Sequence, residues 1–423
     1  MQPSESLQMS ETGNRVCIIT LLHLAAVVCL LLNRSMWLYI FVAFIFAGSV
    51  VSLFVENRLK DIRIGPAFGV STLMFVHALI ITIISPYRID KINSCAKIAL
   101  LFMFFVLGMV YRKRKELNYL SRGLIQISDL TVVLSIIGLL MHLLFRVQLG
   151  TASAASGQEN MQLFSRLMPV NNPLNTRMRS LYNHPIIYAD MVLLALYIEL
   201  SLRRDSDYSF FRTAILLLGL FLSQTRSAWI SLPILLAAYC FSKSRVRVGL
   251  DKVILVLIPL FAVAFISMTS IGLADAIVDK FHMFNTDASF SQRIGAIEYM
   301  VKLMSGNQLS ALLGSGYGSS SVEISNVTIV IDGFTTVDNG WLSMVFDFGL
   351  LFSAVFVTAV FRLIKRGLRT YSAEYAAIAI GVILLCFLNM CFYDMLSWYA
   401  PASVFFFSLG FLFSNEQDDE VLQ

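Results

Sequence analysis

Apolar runs long enough to cross a lipid bilayer recur from one end of the chain to the other, separated mostly by short polar intervals. A helix crossing the hydrocarbon core needs about 20 mostly apolar residues. Runs of this kind fall near 16–32, 35–55, 64–85, 94–111, 123–145, 185–202, 212–225, 227–242, 253–271, 341–361, 373–391 and 400–414. The seventh and eighth are short and tightly coupled through Gln224-Thr225-Arg226, and only Phe392 to Tyr399 separates the last pair. The pattern predicts an all-α integral membrane protein of about 12 transmembrane helices. It divides into a tail (1–15), N-terminal helices (16–145), a first long loop (146–184), central helices (185–271), a second long loop (272–340), C-terminal helices (341–414) and an acidic tail (415–423). No small-residue cleavage site follows the first apolar run, which reads as a retained span.

Charge sets the orientation. With both termini cytoplasmic, the inner loops collect 20 basic residues and the short outer loops hold five: Arg34, Arg88, Lys91, Lys97 and Arg226. Basic residues favour the cytoplasmic side, counted over short loops, so both long loops face outward, which in a bacterium means the periplasm or the cell exterior. The other seven basic residues, among them Arg177, Arg179 and Arg293, all lie in those loops. Either an anionic partner outside or a solvated face beside lipid headgroups accounts for them.

Composition narrows the class. The chain is 57% hydrophobic and 14% charged, against about 25% charged in soluble domains. Its six cysteines sit in or beside apolar spans without paired loop spacing and read as small buried hydrophobes. No cofactor, metal or nucleic-acid partner is expected.

Polar residues within the spans point to candidate chemistry, because ionisable groups there are costly. Asp129 is placed to pair with Arg122, and His142 reads as hydrogen-bonded packing. The turn Asn183-His184-Pro185 opens the sixth span, with Asn183 and Pro185 in capping roles. Asp190 is a candidate partner for His184 or a counter-ion for Arg177. Arg226 sits slightly below the outer surface with no acidic neighbour in sequence. A buried unpaired guanidinium is expensive, and its fork suits bidentate phosphate binding; snorkelling to headgroups is the alternative.

The second long loop carries most of the remaining signal. Ile294, Ile297, Met300, Val301 and Met304 recur at helical spacing, predicting an amphipathic helix over 290–304 with Arg293 in its first turn and Ser289 or Ser291 as cap. Gly314-Ser315-Gly316-Tyr317-Gly318 lacks the Lys-Ser/Thr of a nucleotide loop and reads as a tight turn near a ligand or helix ends. Residues 325–336 suggest a short hairpin around Asp332-Gly333. Asp338, at the mouth of the tenth span, suits both a helix N-cap and a general base.

Taken in order, Gln-Thr-Arg226-Ser, Ser-Gln-Arg293, Leu-Gly-Ser-Gly316-Tyr-Gly, Asp338-Asn339-Gly-Trp and Phe-Asp-Phe-Gly349-Leu-Leu resemble the bacterial O-antigen ligase / O-antigen polymerase superfamily. The resemblance is strongest from about 183 to 360. It implies a metal-independent glycosyltransferase whose arginines, here Arg226 and Arg293, engage the diphosphate of a polyprenyl-linked glycan. Ligases of the family carry a histidine where this chain has Val337-Asp338-Asn339, which favours the polymerase branch and leaves Asp338, His282 or His184 as base. The candidate site is Arg226, Arg293 and Asp338 for catalysis, with Arg177, Arg179, His184, Gly316 and Asn339 binding substrate. The resemblance further implies an undecaprenyl diphosphate glycan as substrate and a location in the bacterial inner membrane. It also suggests a chain-length regulator and a flippase as partners. A ligase of the same family and a polytopic glycolipid transporter are the competing readings; the transporter would show paired broken helices or inverted repeats.

Overall fold

The computed structural model describes residues 66–110, 114–145, 170–172, 175–180, 182, 184–202, 207–223, 225, 227–233, 235, 288–329, 337–369 and 374–419. Helix α1 (Pro66–Ile84) begins on a proline, whose missing N–H costs nothing in a first turn. Asp90 then starts α2 (Lys91–Val110), its side chain accepting from Asn93 N at 3.0 Å. Helix α3 (Arg114–Phe145) starts among the inner basic residues, well before the apolar run 123–145. Hydropathy marks where lipid begins, and backbone hydrogen bonding continues past it. Next come α4 (Pro185–Ser201), α5 (Asp207–Ser223) and a helical stretch at 227–233. In the second long loop lie α6 (Ala288–Gly306), α7 (Gln308–Leu313) and α8 (Ser319–Ser325). The chain closes with α9 (Gly340–Phe348), α10 (Leu350–Arg369), α11 (Glu374–Asn389), a 3-10 turn at Met395–Ser397 and α12 (Tyr399–Asp419).

Among the described residues, two helical segments, Lys91–Met109 and Ser121–Leu140, are long and apolar enough to cross a membrane, and four shorter apolar helices accompany them. The expected spans near 16–32, 35–55 and 253–271 lie outside the described residues, as does the hairpin around Asp332. Two expectations change. A short antiparallel pair, β1 (Val170–Asn172) and β2 (Asn175–Arg177), interrupts the all-helical pattern inside the first long loop. The span expected at 341–361 is two helices, α9 and α10, broken at Gly349.

The break has a backbone cause. Gly349 takes φ +90°, a conformation a Cβ resists, and an added Cβ would come within 2.4 Å of Leu312 O. Opposite it, Gly314 takes φ +101°, and its Cβ would meet the Phe348 carbonyl carbon at 2.4 Å. The two glycines therefore interlock the α7 end with the α9–α10 break.

Helix α4 forms the centre of the bundle. It is buried from Ile187 through Ser201 and packs against α3, α5, α11 and α12, as a helix apolar on all sides must. The tightest crossing is α2 on α12, where an added Cβ on Gly108 would lie 2.0 Å from Phe407 O and one on Gly410 1.9 Å from Phe105 O. Small residues at such a crossing let the backbones touch. Outward, Leu73, Ile80 and Ile84 of α1 and Leu350, Leu351 and Phe361 of α10 are exposed; a continuous apolar exterior of this kind suits lipid, not water.

Polar groups inside the bundle find partners other than those expected. Asp129 pairs with Arg212 of α5, Nε to Oδ2 at 3.0 Å, not with Arg122, and Arg212 also reaches Glu199 at 3.7 Å. Sequence proximity favoured Arg122, but helix packing brings Arg212 across. Asp190 accepts hydrogen bonds from Asn389 Nδ2 and Tyr393 Oη. Asn389 Oδ1 in turn accepts from Ser231 Oγ at 2.9 Å. This buried chain ties the helix after Thr225 to α4, to α11 and to the connector that follows α11.

Candidate functional site

The polar groups gather at one end of the bundle, where α1 ends, α2, α4, α9 and α12 begin, and α11 ends. Helix α6 delivers Arg293. Its buried face is Gln292, Ala296 and Met300, a helical repeat that packs on Ile324, Val337 and Phe346. Ile294 and Val301, expected on the apolar face, are exposed instead, because α6 packs on α7 and α9. The helix starts at Ala288, so Arg293 lies in its second turn, not its first.

Arg293 meets Asp338. Nε and Nη2 donate to the single oxygen Oδ2 at 3.2 and 3.1 Å. The Asp338 backbone is left-handed, φ +50°, a costly conformation that Asp tolerates better than most residues. Asp338 is not the helix cap. That role belongs to Asn339, whose Oδ1 accepts from Leu342 N at 3.0 Å. Next to it, Gly340 N donates to Met390 O at 2.7 Å, docking the start of α9 onto the connector after α11.

The glycine turn is an internal clamp. Gly316 N donates to Asp347 O at 2.8 Å, while Gly318 N and Ser320 N donate to the Asp347 carboxylate at 2.7 and 2.8 Å. Asp347, from Phe346-Asp347-Phe348, thus fills the amide cradle at the start of α8 that a phosphate would otherwise take. Gly316, expected to bind substrate, is buried with φ +101° against Ser85, whose Oγ donates to Ser315 O at 2.5 Å. Tyr317 N donates to Thr82 Oγ1 at 3.0 Å, and His77 Nε2 lies 3.1 Å from Leu313 O and 3.3 Å from Phe348 O.

The connector between α11 and α12 supplies groups that the sequence reading passed over. Tyr317 Oη donates to Leu396 O at 2.8 Å. Lys97 Nζ, from α2, stands 5.8 Å from the Tyr317 ring centroid and 5.1 Å from that of Tyr399. Asp394 is buried and accepts from Ser397 Oγ. Burial raises its carboxyl, the Ser397 hydroxyl and the Lys97 ammonium lower it, and the charge on Asp338 raises it, so that it stands at about 6. Burial, then the Asp394 charge, holds the Tyr317 hydroxyl well above its usual range. The available signal was the lone carboxylate Asp394 between two apolar spans.

His184 borders this end. It caps α4 itself, Nδ1 accepting from Ile186 N at 3.2 Å, in place of Asn183, and its ring lies 5.9 Å from Trp398 of the connector. Pro185 O accepts from Thr225 Oγ1 at 3.4 Å, so the Thr225 segment ends beside His184. Arg226, the next residue, lies outside the described residues. Arg177 ends β2, and Arg179 follows in a segment anchored by Met178 N to Leu222 O at 3.1 Å. Among the described residues no group of three or more His, Cys, Asp or Glu side chains is placed to hold a metal.

The family model for O-antigen ligase matches residues 211–357, from α5 through Arg293, the glycine turn, Asp338 and the Gly349 break. Over that stretch, about a third of the chain, the protein is similar to the O-antigen ligase/polymerase superfamily. Members of this family are glycan-processing membrane enzymes. The match leaves Lys97, His184 and Asp394 outside its bounds. No curated protein matches the chain.

Proposed function

We propose that the protein is a membrane glycosyltransferase that polymerises polyprenyl-diphosphate-linked oligosaccharide repeat units into O-antigen or a related surface polysaccharide at the periplasmic face of the inner membrane. The observation that carries the reading is the Arg293–Asp338 pair at the end of the bundle where Lys97 and His184 also lie. A guanidinium has five N–H donors in a fixed fork. Asp338 engages two of them, which fixes the direction of the fork while leaving donors for a diphosphate. A polyprenyl diphosphate is already an activated leaving group, so electrostatic stabilisation of its departing charge supplies much of the catalysis. Arg226, which lies outside the described residues, is the second expected arginine.

The test is to delete the gene in its host and resolve the surface polysaccharide by gel. Core bearing a single repeat unit without a ladder supports the polymerase. Bare core with polymer accumulating on the lipid carrier makes the protein a ligase, and an unchanged ladder removes O-antigen from the reading and reopens the transporter.

A further inference from the structure

We propose that the protein holds one acyl chain of an outer-leaflet phospholipid in a slot beneath the glycine turn. A cavity lies between α1, α2, α9, α10 and α12, with about 790 Å³ of free space including the part open to the exterior. Its roof is Tyr317, whose hydroxyl is turned onto Leu396 O at 2.8 Å. One wall is a ladder of rings. Tyr317 stacks on Phe348 at 5.8 Å, Phe348 on Phe352 at 5.0 Å and Phe352 on Phe356 at 6.2 Å. Among the described lining residues, only Ser71 and Tyr317 carry a side-chain oxygen. A buried water needs about two to four polar partners, so the slot suits hydrocarbon. Left void, it would forfeit the dispersion contacts of its lining.

Depth, entry and charge name the occupant. On α10 the slot runs from Phe352 to Leu363, about 16 Å at a rise of about 1.5 Å per residue. One leaflet of a hydrocarbon core about 30 Å thick is about 15 Å deep. An acyl chain ending at the bilayer midplane fits that depth, whereas a polyprenyl chain would leave most of its isoprenes outside. The way in runs between α1 and α10. Among the described residues these helices do not pack closely on each other, and the rings of His77 and Phe352 meet between them at 5.7 Å. At the roof stands a cation, half-buried Lys97, its Nζ 5.8 Å from the Tyr317 ring centroid and 5.1 Å from that of Tyr399. An ammonium there complements the phosphate of a lipid whose chain fills the slot. The chain then buttresses Tyr317 and Phe348, the rings beside the Gly314–Gly349 interlock.

The experiment reconstitutes full-length protein into phosphatidylethanolamine vesicles containing a phosphatidylglycerol with a diazirine midway along one acyl chain. After illumination, labelled peptides are mapped by mass spectrometry. Label should concentrate on residues 71–78 and 352–363, in excess of the exposed α3 face at Leu130, Val133 and Ile137. Ala359→Phe fills the slot from a half-buried lining position and should abolish the excess. If that variant does not accumulate, Lys97→Met decides the matter. Losing a charge-assisted contact should weaken labelling of the slot about tenfold. Equal labelling of the slot and the α3 face overturns the proposal, as does an excess that survives Ala359→Phe or, in its place, Lys97→Met. Undecaprenyl phosphate clearing the label at a lower molar ratio than unlabelled phospholipid would give the slot to a polyprenyl chain and overturn it equally.

Discussion

Arg293 places two N–H donors on one oxygen of Asp338, Nε at 3.2 Å and Nη2 at 3.1 Å, across 45 residues of chain. The pair joins the second turn of α6 to a left-handed residue at the mouth of α9. It fixes a cation at the end of the bundle without using all of its hydrogen-bonding capacity.

Arg293→Lys should therefore fail nearly as badly as Arg293→Ala. Lysine keeps the charge but loses the planar fork, and removing one donor that stabilises transition-state charge costs about 100- to 1,000-fold in rate. The measurement is ladder length in a deletion strain complemented with each variant at matched membrane abundance. A normal ladder with Arg293→Lys would mean that charge alone suffices.

Gly349→Ala should destabilise the fold by about 2–5 kcal/mol, combining positive-φ strain with overpacking. The added Cβ would meet Leu312 O at 2.4 Å with φ +90°. Thermal unfolding in detergent checks this. An unchanged transition would show that the interlock with Gly314 yields freely.

Asp190→Ala leaves the Asn389 and Tyr393 donors without their acceptor inside the bundle. Each unsatisfied buried group costs about 1–3 kcal/mol, so this variant should melt well below wild type. Asp190→Asn keeps an acceptor oxygen and should fall between the two. Equal stability of the alanine variant would argue that water replaces the carboxylate.

Orientation is testable with single cysteines in a background lacking the native ones. Ser325→Cys, exposed at the end of α8, should react with a membrane-impermeant maleimide in cells whose outer membrane has been permeabilised. Lys365→Cys, exposed near the inner end of α10, should react only after the inner membrane is lysed. The reverse pattern would invert the positive-inside assignment.

Apolar periodicity located α1, α2, α4, α5, α11 and α12 within a few residues, because a span must be apolar along its whole length. It could not locate the Gly349 break: a hydropathy window runs across Phe348-Gly349-Leu350 without registering a backbone angle. The same limit applied to the site. Arg293 and Asp338 were each visible as polar residues at the edge of an apolar element, but their contact depends on how α6 packs on α9. Lys97 was counted only as topological charge and Asp394 only as part of a short connector. Lys97 reaches the Tyr317 and Tyr399 rings only through the packing of α2 on α12. Arg212 displaced Arg122 as the partner of Asp129 for a similar reason: neighbours across helices are set by packing, not by counting along one helix.

The Asp347 clamp bears on any exchange of parts between relatives. The glycine turn is stitched to Thr82 and Ser85 on one side and to the Asp347–Gly349 corner on the other. A chimera that transplants the outer loop alone would cut those stitches at both borders. The smallest portable unit is the end of α1 together with residues 307–320 and 346–350, so specificity encoded in the loop travels with a piece of the bundle.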